Sequence, residues 1–518
     1  MNTFNKKSLY AALAGLSALG VTGAAQAVSV NQDGLGSALI YPYYTVRTNA
    51  AGHSFQSLIS VVNTTPSARV VKVRFLEGKN SREVLDFNLF LSKRDVWVAG
   101  IIPTADGAGI FTPDKSCTVP VVSNNPAAPT PFVNYAYSGS NADGGDTSLD
   151  RTREGYAEVI AMAQFFSRTA TYTTVTHALG STPGTPDCDP AIIQSPNIST
   201  PAPQVASDVS DYLIGGLFGG ITLINVGDGI DVSVEATALD AWSTDNQLFA
   251  EGSILPNLAQ VTPKTSVVTA GQYTFVTDWS DYAGGEPAAR QNAVDAVSAV
   301  LMHDYVYNEF ILDAATLSQT DWVITFPTKW AYYSGKITDS TGATVGVAVQ
   351  KLFQRNFLGT KGACDDVVIN RYDREERTVA STTTFSPPPP TATDSICWEA
   401  NVLTFNNSAL LASKNSYNIP TTFENGWVSL RFPVPTTSVP RYHQLYGGFS
   451  TIFNIYGNSG SSATTTFSGL PVIGFATSSF KNGNIAAGST VYYSGRQNHR
   501  FERNINGFST VPPIIIGN

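Results

Sequence analysis

Five histidines, four cysteines and a few clustered carboxylates are the residues of this 518-residue chain that could carry out catalysis or hold a metal. His53, His177, His303, His443 and His499 are scattered; they form no H-E-x-x-H, and no two stand at a close metal-ligand spacing. No G-x-S-x-G marks a nucleophile elbow, although a Ser/His/Asp triad built from distant residues stays open. No P-loop is present, and a dinucleotide fingerprint would need a βαβ context that the strand pattern lacks. The run Tyr372-Asp373-Arg374-Glu375-Glu376-Arg377 offers a carboxylate pair for glycoside hydrolysis, which needs the two groups about 5–10 Å apart. The plainer reading is a solvated turn laced with weak ion pairs. Asn141-Ala142-Asp143-Gly144-Gly145-Asp146 puts oxygen donors on a Gly-rich loop, which makes calcium the one candidate cofactor. Its spacing does not meet the EF-hand pattern, and a flexible loop explains it equally.

Aromatic residues offer a different chemistry, stacking on a ligand face. Tyr41, Tyr43 and Tyr44 surround Pro42, and Trp330, Tyr332 and Tyr333 follow a strand-like run. These six are the candidate surface aromatics for a sugar-binding face. The alternative is that they pack into a core or cover a sheet edge, where Pro42 would be tolerated. At the C-terminus, Ile514, Ile515 and Ile516 could add to a neighbouring subunit's sheet edge or dock on the chain's own core.

Cys117, Cys188, Cys364 and Cys397 are even in number, as expected of disulfides in an oxidising compartment. Three pairings are open. The sequential one, Cys117–Cys188 with Cys364–Cys397, closes loops over low-complexity stretches and is the expected one. No C-x2-C spacing favours zinc.

The elements that must position these groups are mostly strands. Val71-Lys72-Val73-Arg74-Phe75 and Leu85-Asp86-Phe87-Asn88-Leu89 alternate, and Glu77-Gly78-Lys79-Asn80-Ser81 between them is turn chemistry, so 70–91 reads as a hairpin. The period of two puts Lys72 and Arg74 on the face opposite Val71, Val73 and Phe75, with Glu83 and Asp86 expected to face solvent. Five strands between 38 and 102, separated by turns, predict an antiparallel sheet of sandwich type. Further strands are expected at 155–163, 217–238, 322–328, 402–405, 427–432, 449–455, 470–475 and 490–493. Residues 123–150 and 178–207 read as long surface loops, and Ser386-Pro387-Pro388-Pro389-Pro390 sits in a Thr/Pro-rich one. One helix is expected over 287–302, with Pro287 in its first turn and Ala293, Val294, Val297, Val300 and Leu301 on one stripe. The fold class is therefore mainly β: antiparallel β-sandwich domains with long loops and one short helix. The expected division is a signal peptide over 1–27, an N-terminal β-sandwich domain over 28–260 and a C-terminal β-rich domain over 261–518.

Composition bounds the function. Apolar residues make up 42% and charged residues only 14%, against about 25% charged in ordinary globular chains. That excludes disorder and long helical bundles. Lys6 and Lys7, the apolar run 9–21 and Ala25-Gln26-Ala27 form a secretory signal with its cleavage site. No later stretch of 18 apolar residues exists, so no helical membrane anchor is expected. The net charge of −9 argues against nucleic acid and against anionic lipid. An outer-membrane barrel shares export and alternation, but the Pro-rich loops and the helix oppose it.

Several segments together carry a likeness: Ile40-Tyr41-Pro42-Tyr43-Tyr44-Thr45-Val46, the run 80–88 (NSREVLDFN), the run 320–329 (TDWVITFPTK), Cys397-Trp398-Glu399-Ala400-Asn401 and the run 469–475 (GLPVIGF). They resemble a family of exported proteobacterial proteins. The resemblance implies a Gram-negative exported protein and brings no activity, ligand or catalytic residue with it.

The function expected is that of an exported, non-enzymatic structural or interaction protein of the periplasm or cell surface, with a glycan, a protein or further copies of itself as partner. Its alternatives are a carbohydrate-binding module and a secreted hydrolase with dispersed catalytic residues.

Overall fold

The alternation at 70–91 is a hairpin. Arg69–Glu77 and Glu83–Leu91 pair antiparallel, with Val73 opposite Phe87 and Lys72 opposite Asn88. The structure is a computed structural model that describes residues 27–177, 184–210, 213, 215–243, 245–259, 264–279, 293–333, 337–338, 344–346, 352–378, 394–434, 442–447, 449–454, 459–462, 465–486, 489–505 and 508–509. The expected signal segment up to residue 26, the helix start at 287–292, the proline run 386–390 and the C-terminal 511–518 lie outside the described residues.

The hairpin belongs to a seven-stranded antiparallel sheet. Ala38–Thr45, Glu154–Gln164, Arg69–Glu77 and Glu83–Leu91 follow one another in its middle. A six-stranded sheet runs Ile230–Glu235, Leu217–Asn225, Gln56–Asn63, Val96–Pro103, Ala108–Phe111, Thr130–Pro131. The five early strands thus divide between two sheets. Val71, Val73, Phe75, Leu39 and Tyr41 meet Ile59, Val61, Trp97, Ile221 and Leu223 in one core. This is sandwich packing, in which each strand turns alternate residues to the partner sheet.

The later chain builds two five-stranded sheets. One runs Asp394–Ile396, Asp365–Asp373, Asn425–Arg431, Tyr305–Ile311, Arg500–Glu502. The other runs Ser416–Ile419, Ala400–Phe405, Gln319–Thr325, Ile473–Ala486, Ser489–Asn498, antiparallel except at its first pair. Val306, Phe310, Val428 and Leu430 of the former share a core with Trp322, Ile324, Leu403 and Phe405 of the latter. The Phe310 and Phe405 rings stack with centroids 4.9 Å apart.

Hydrogen bonding and packing divide the molecule differently. The strands of the first two sheets lie within 29–240, and those of the two five-stranded sheets within 305–502. The apolar core respects no such line. Ala38, Ile40, Leu76, Tyr156 and Ile160, on the outer side of the seven-stranded sheet, join the second core with the helix Ala293–Leu301. Val323, Val402 and Phe475 join the first. The helix buries Val294, Val297, Val300 and Leu301, the apolar stripe expected of it.

That helix is not alone. Pro190–Ile193 and Pro203–Ser207 form short helices within 178–207, where a long loop was expected; Ala170–Val175 is another short helix, and Lys329–Tyr333 follows the Gln319–Thr325 strand. Capping explains two of them. Thr169 accepts from the Tyr172 amide and Asp189 from the Ala191 amide, with Pro190 pre-set for the first turn. Both disulfides form in sequential order, Cys117–Cys188 and Cys364–Cys397. Among the described residues no helix is long and apolar enough to cross a membrane.

Candidate functional site: an exposed aromatic face

The aromatics singled out around Pro42 are core residues. Tyr41, Tyr43 and Tyr44 are fully buried, which overturns their reading as a surface platform. Their strand is interior to the seven-stranded sheet rather than at an edge. Pro42 is accommodated because the pairing with Glu154–Gln164 slips there, Gly155 facing Tyr44 and Ala157 facing Tyr41, so that one extra residue bulges. The bulge lets consecutive tyrosines enter one core. Each hydroxyl finds an internal acceptor: Tyr41 donates to the Ser60 carbonyl, Tyr43 to Glu154 and Tyr44 to the Thr152 carbonyl. Tyr332 is also buried, donating to Asp295 at 2.8 Å, and the partly buried Trp330 donates to the Pro327 carbonyl. The Tyr333 side chain lies outside the described residues.

Lys72 and Arg74 on the charged face of the first hairpin are buried as well, while Glu83 and Asp86, expected to face solvent, are partly exposed. The segment at 250–251 and the second core cover the two cations. Arg74 bonds Glu83 and Glu158, each at 2.7 Å. Lys72 bonds Asp86 at 2.7 Å and donates to the carbonyls of Ala250 and Glu251. Burial, reinforced by the neighbouring Asp86, pushes Glu83 up to about 7 despite the two cations. Burial also raises Glu158, opposed by Arg74. A carboxyl that holds its proton near neutrality suits a general acid. Yet three clefts among the described residues, of about 660, 800 and 450 Å³, are lined by other residues. Two further arginines are closed in the same way: Arg151 by Glu77 and Asp143, Arg47 by Asp150 and Glu154.

The histidines do bring polar groups together. Ser92, Asp95 and His177 meet, but Ser92 Oγ at 3.1 Å and Asp95 at 3.5 Å both approach Nδ1. A triad needs the serine on one ring nitrogen and the carboxylate on the other, so this ring cannot relay a proton between them. His443 directs Nε2 to Asp365 at 3.3 Å, and Lys329 meets the same carboxylate at 2.8 Å. All three side chains are fully buried. Burial alone would raise Asp365, but Lys329 and His443 hold its carboxyl below the usual range. His499 is pushed down to about 4 by burial; it donates from Nε2 to the Val323 carbonyl and accepts from Asn308. Burial also pushes His303, stacked on Phe501, well down. His53 pairs with Asp228 at 2.8 Å, where the turn at 226–229 meets the loop after Thr45.

Neither acidic stretch is an open site. Asp373 bonds Arg377 at 2.6 Å and Arg377 meets Glu375 at 3.4 Å, the paired turn of the plainer reading. Asp143 takes both Arg151 guanidinium nitrogens, the Asn80 amide and the Gly145 N–H, while Asp146 bonds Ser148. The Asp143 and Asp146 carboxylates, the charged donors of that stretch, thus bond the protein's own groups.

A further aromatic cluster, with Trp427 exposed and Tyr305, Tyr307 and Tyr372 partly so, lies on the outer face of the first five-stranded sheet. Period-two alternation sends Val306, Phe310, Val428, Leu430, Val367 and Ile369 inward and leaves their neighbours outward. Tyr372 pairs with Trp427 across two strands, and their rings stack at 4.2 Å and 15°. Tyr307 lies diagonally from Trp427 at 6.3 Å and stacks on Tyr305 at 5.5 Å and 6°. Trp427 keeps 41% of its surface exposed. Polar groups interleave the rings. Asn370 stands opposite Ser429, Glu309 opposite Trp427 and Arg500 opposite Tyr307. Tyr307 donates to Glu502 at 2.6 Å, and Arg431 lies over the Tyr305 ring while meeting Asp304 at 3.5 Å. Burial and Glu502 together raise the Tyr307 phenol. A signal existed in the sequence, since Tyr305-Val306-Tyr307 and Trp427-Val428-Ser429 alternate aromatic or polar with aliphatic. Each strand supplies only one or two of these aromatics, so no local cluster in the sequence marks them. Neither a protein-family model, nor a curated protein, nor a solved structure matches the chain.

Proposed function

We propose that the chain is an exported, non-enzymatic interaction protein of the periplasm or cell surface, and that it works through the outer face carrying Trp427. The supporting observation is a contrast in availability. This face turns an aromatic row with polar interleaving outward, whereas the raised carboxyl of Glu83 and the buried His443 lie inside networks of their own partners. Two disulfides accord with an oxidising compartment.

The test is fractionation without detergent. Osmotic-shock and surface-shear fractions of cells expressing the full chain should hold it attached to envelope material. The double change Trp427→Ala with Tyr307→Ala should release it into the soluble fraction. Equal retention of both proteins removes this face from the function, and hydrolytic turnover by the purified chain removes the non-enzymatic reading.

Assembly of copies is a second reading with its own observation. Leu58, Val96, Val98 and Phe218 are exposed together on the outer face of the six-stranded sheet. They flank a trough of about 660 Å³ whose rim carries Glu235 and Arg496, opposite charges that two copies could exchange. Light scattering of Val98→Asp against the unaltered chain tests it; identical masses would dismiss it.

A further inference from the structure

Resting on that reading of the aromatic face, we propose that its ligand is a neutral glycan chain lying across Tyr372, Trp427 and Tyr307. Three features of the face select this chemistry. Its apolar surface centres on the exposed Trp427, with the partly exposed Tyr305, Tyr307 and Tyr372 and the aliphatic Val368 beside it, whereas the six-stranded sheet exposes Leu58, Val96, Val98 and a single aromatic, Phe218. A sugar presents C–H groups on its ring faces and hydroxyls around its rim, so it is served by π-surfaces with donors and acceptors between them. The exposed Asn370 and Glu309 supply those groups on the same face, opposite or next to the rings, with the buried Ser429 accepting from Asn370.

The charge of the face points to an uncharged ligand. Arg431 is held by Asp304, and Glu502 accepts from Tyr307. Glu309 and Arg500, both exposed there, are opposite in sign. These groups sum to a single negative charge, too weak a field to draw a polycation and of the wrong sign for a polyanion.

Geometry sets the length of the ligand. The three strands that supply Tyr372, Trp427 and Tyr307 are adjacent, so the row spans about 10 Å at the usual strand spacing. A short oligosaccharide laid perpendicular to the strands would meet the open indole of Trp427 midway. Tyr305, stacked behind Tyr307, extends the row along its own strand.

The rings support one another within the sheet, which bears on how the site is tested. Tyr372 packs on one side of the Trp427 indole, so removing it alters the indole's setting without removing the stacking surface. Trp427→Ala removes the surface itself. Trp427→Phe keeps an aromatic ring and serves as the conservative control.

The experiment is titration of the purified full chain with maltohexaose, cellohexaose and chitohexaose, read by tryptophan fluorescence and by calorimetry. At least one should quench and shift the emission. Trp427→Ala should bind that sugar at least about tenfold more weakly and lose the quench, with Trp427→Phe between the two. Circular dichroism and thermal melting establish that each variant is folded. Absence of binding by all three sugars overturns the glycan proposal, and so does undiminished binding by Trp427→Ala. Salt-sensitive binding of alginate in place of the neutral sugars overturns it too, in favour of a charged ligand. If the double variant is still released from the envelope fraction in any of these cases, the face keeps its role with another partner. If it is not released, the reading of the face itself has failed.

Discussion

The charged strand of the first hairpin and the aromatic strand at 305–311 have the same kind of alternation and opposite fates. Val71-Lys72-Val73-Arg74-Phe75 places two cations on its second face, and Tyr305-Val306-Tyr307 places two tyrosines there. Lys72 and Arg74 end up buried and matched to Asp86, Glu83 and Glu158. Tyr305 and Tyr307 stay half-open beside the exposed Trp427. Alternation states which residues share a face, while the remaining layers of the molecule decide whether that face is covered. The seven-stranded sheet is covered because Ala38, Ile40 and Ile160 on the same outer side continue into the second core. Beyond the outer five-stranded sheet no such apolar continuation is built from the described residues.

Tyr43→Ala should expose the contrast most strongly. It removes a fully buried ring and the hydrogen bond to Glu154, so a loss of about 3–5 kcal/mol in chemical unfolding is expected. A change within experimental error would return Tyr43 to the surface reading. Arg74→Met follows, because it leaves Glu83 and Glu158 buried without their cation; about 3 kcal/mol should be lost. If this variant melts with the unaltered protein, the charged face is open to water after all.

Glu83→Gln sharpens the comparison through pH. The folded carboxyl titrates at about 7 against an ordinary 4.5, so between these values the native state holds a proton that the unfolded chain has released. Stability from this group is therefore complete below the lower value and lost as pH rises through the higher one, by up to about 3 kcal/mol. Urea unfolding across that window should show a decline in the parent chain and a flatter profile in Glu83→Gln. Matching slopes would assign the titration to another member of the cluster formed by Lys72, Arg74, Asp86 and Glu158. The smallest effect belongs to Trp427→Ala, under about 1 kcal/mol, since much of that ring already faces water. A melting loss comparable to that of Tyr43→Ala would make Trp427 a core residue and close the proposed face.

The sequence by itself determined the class of fold, most of the strands and the hairpin at 70–91. Those features follow from local rules, the two-residue side-chain period and the conformational demands of turn residues. The apolar stripe of the helix Ala293–Leu301 was legible for the same reason. Four cysteines left three pairings open, and only the fold brings Cys117 to Cys188 and Cys364 to Cys397. Tertiary structure alone decided that Tyr41, Tyr43 and Tyr44 are core and that Tyr305, Tyr307, Tyr372 and Trp427 form one surface. The latter four come from three strands that are distant in sequence and adjacent in the sheet. Burial depends on what packs above a face, and that is set by strand order and layer contact. Neither is encoded in the periodicity of any single strand.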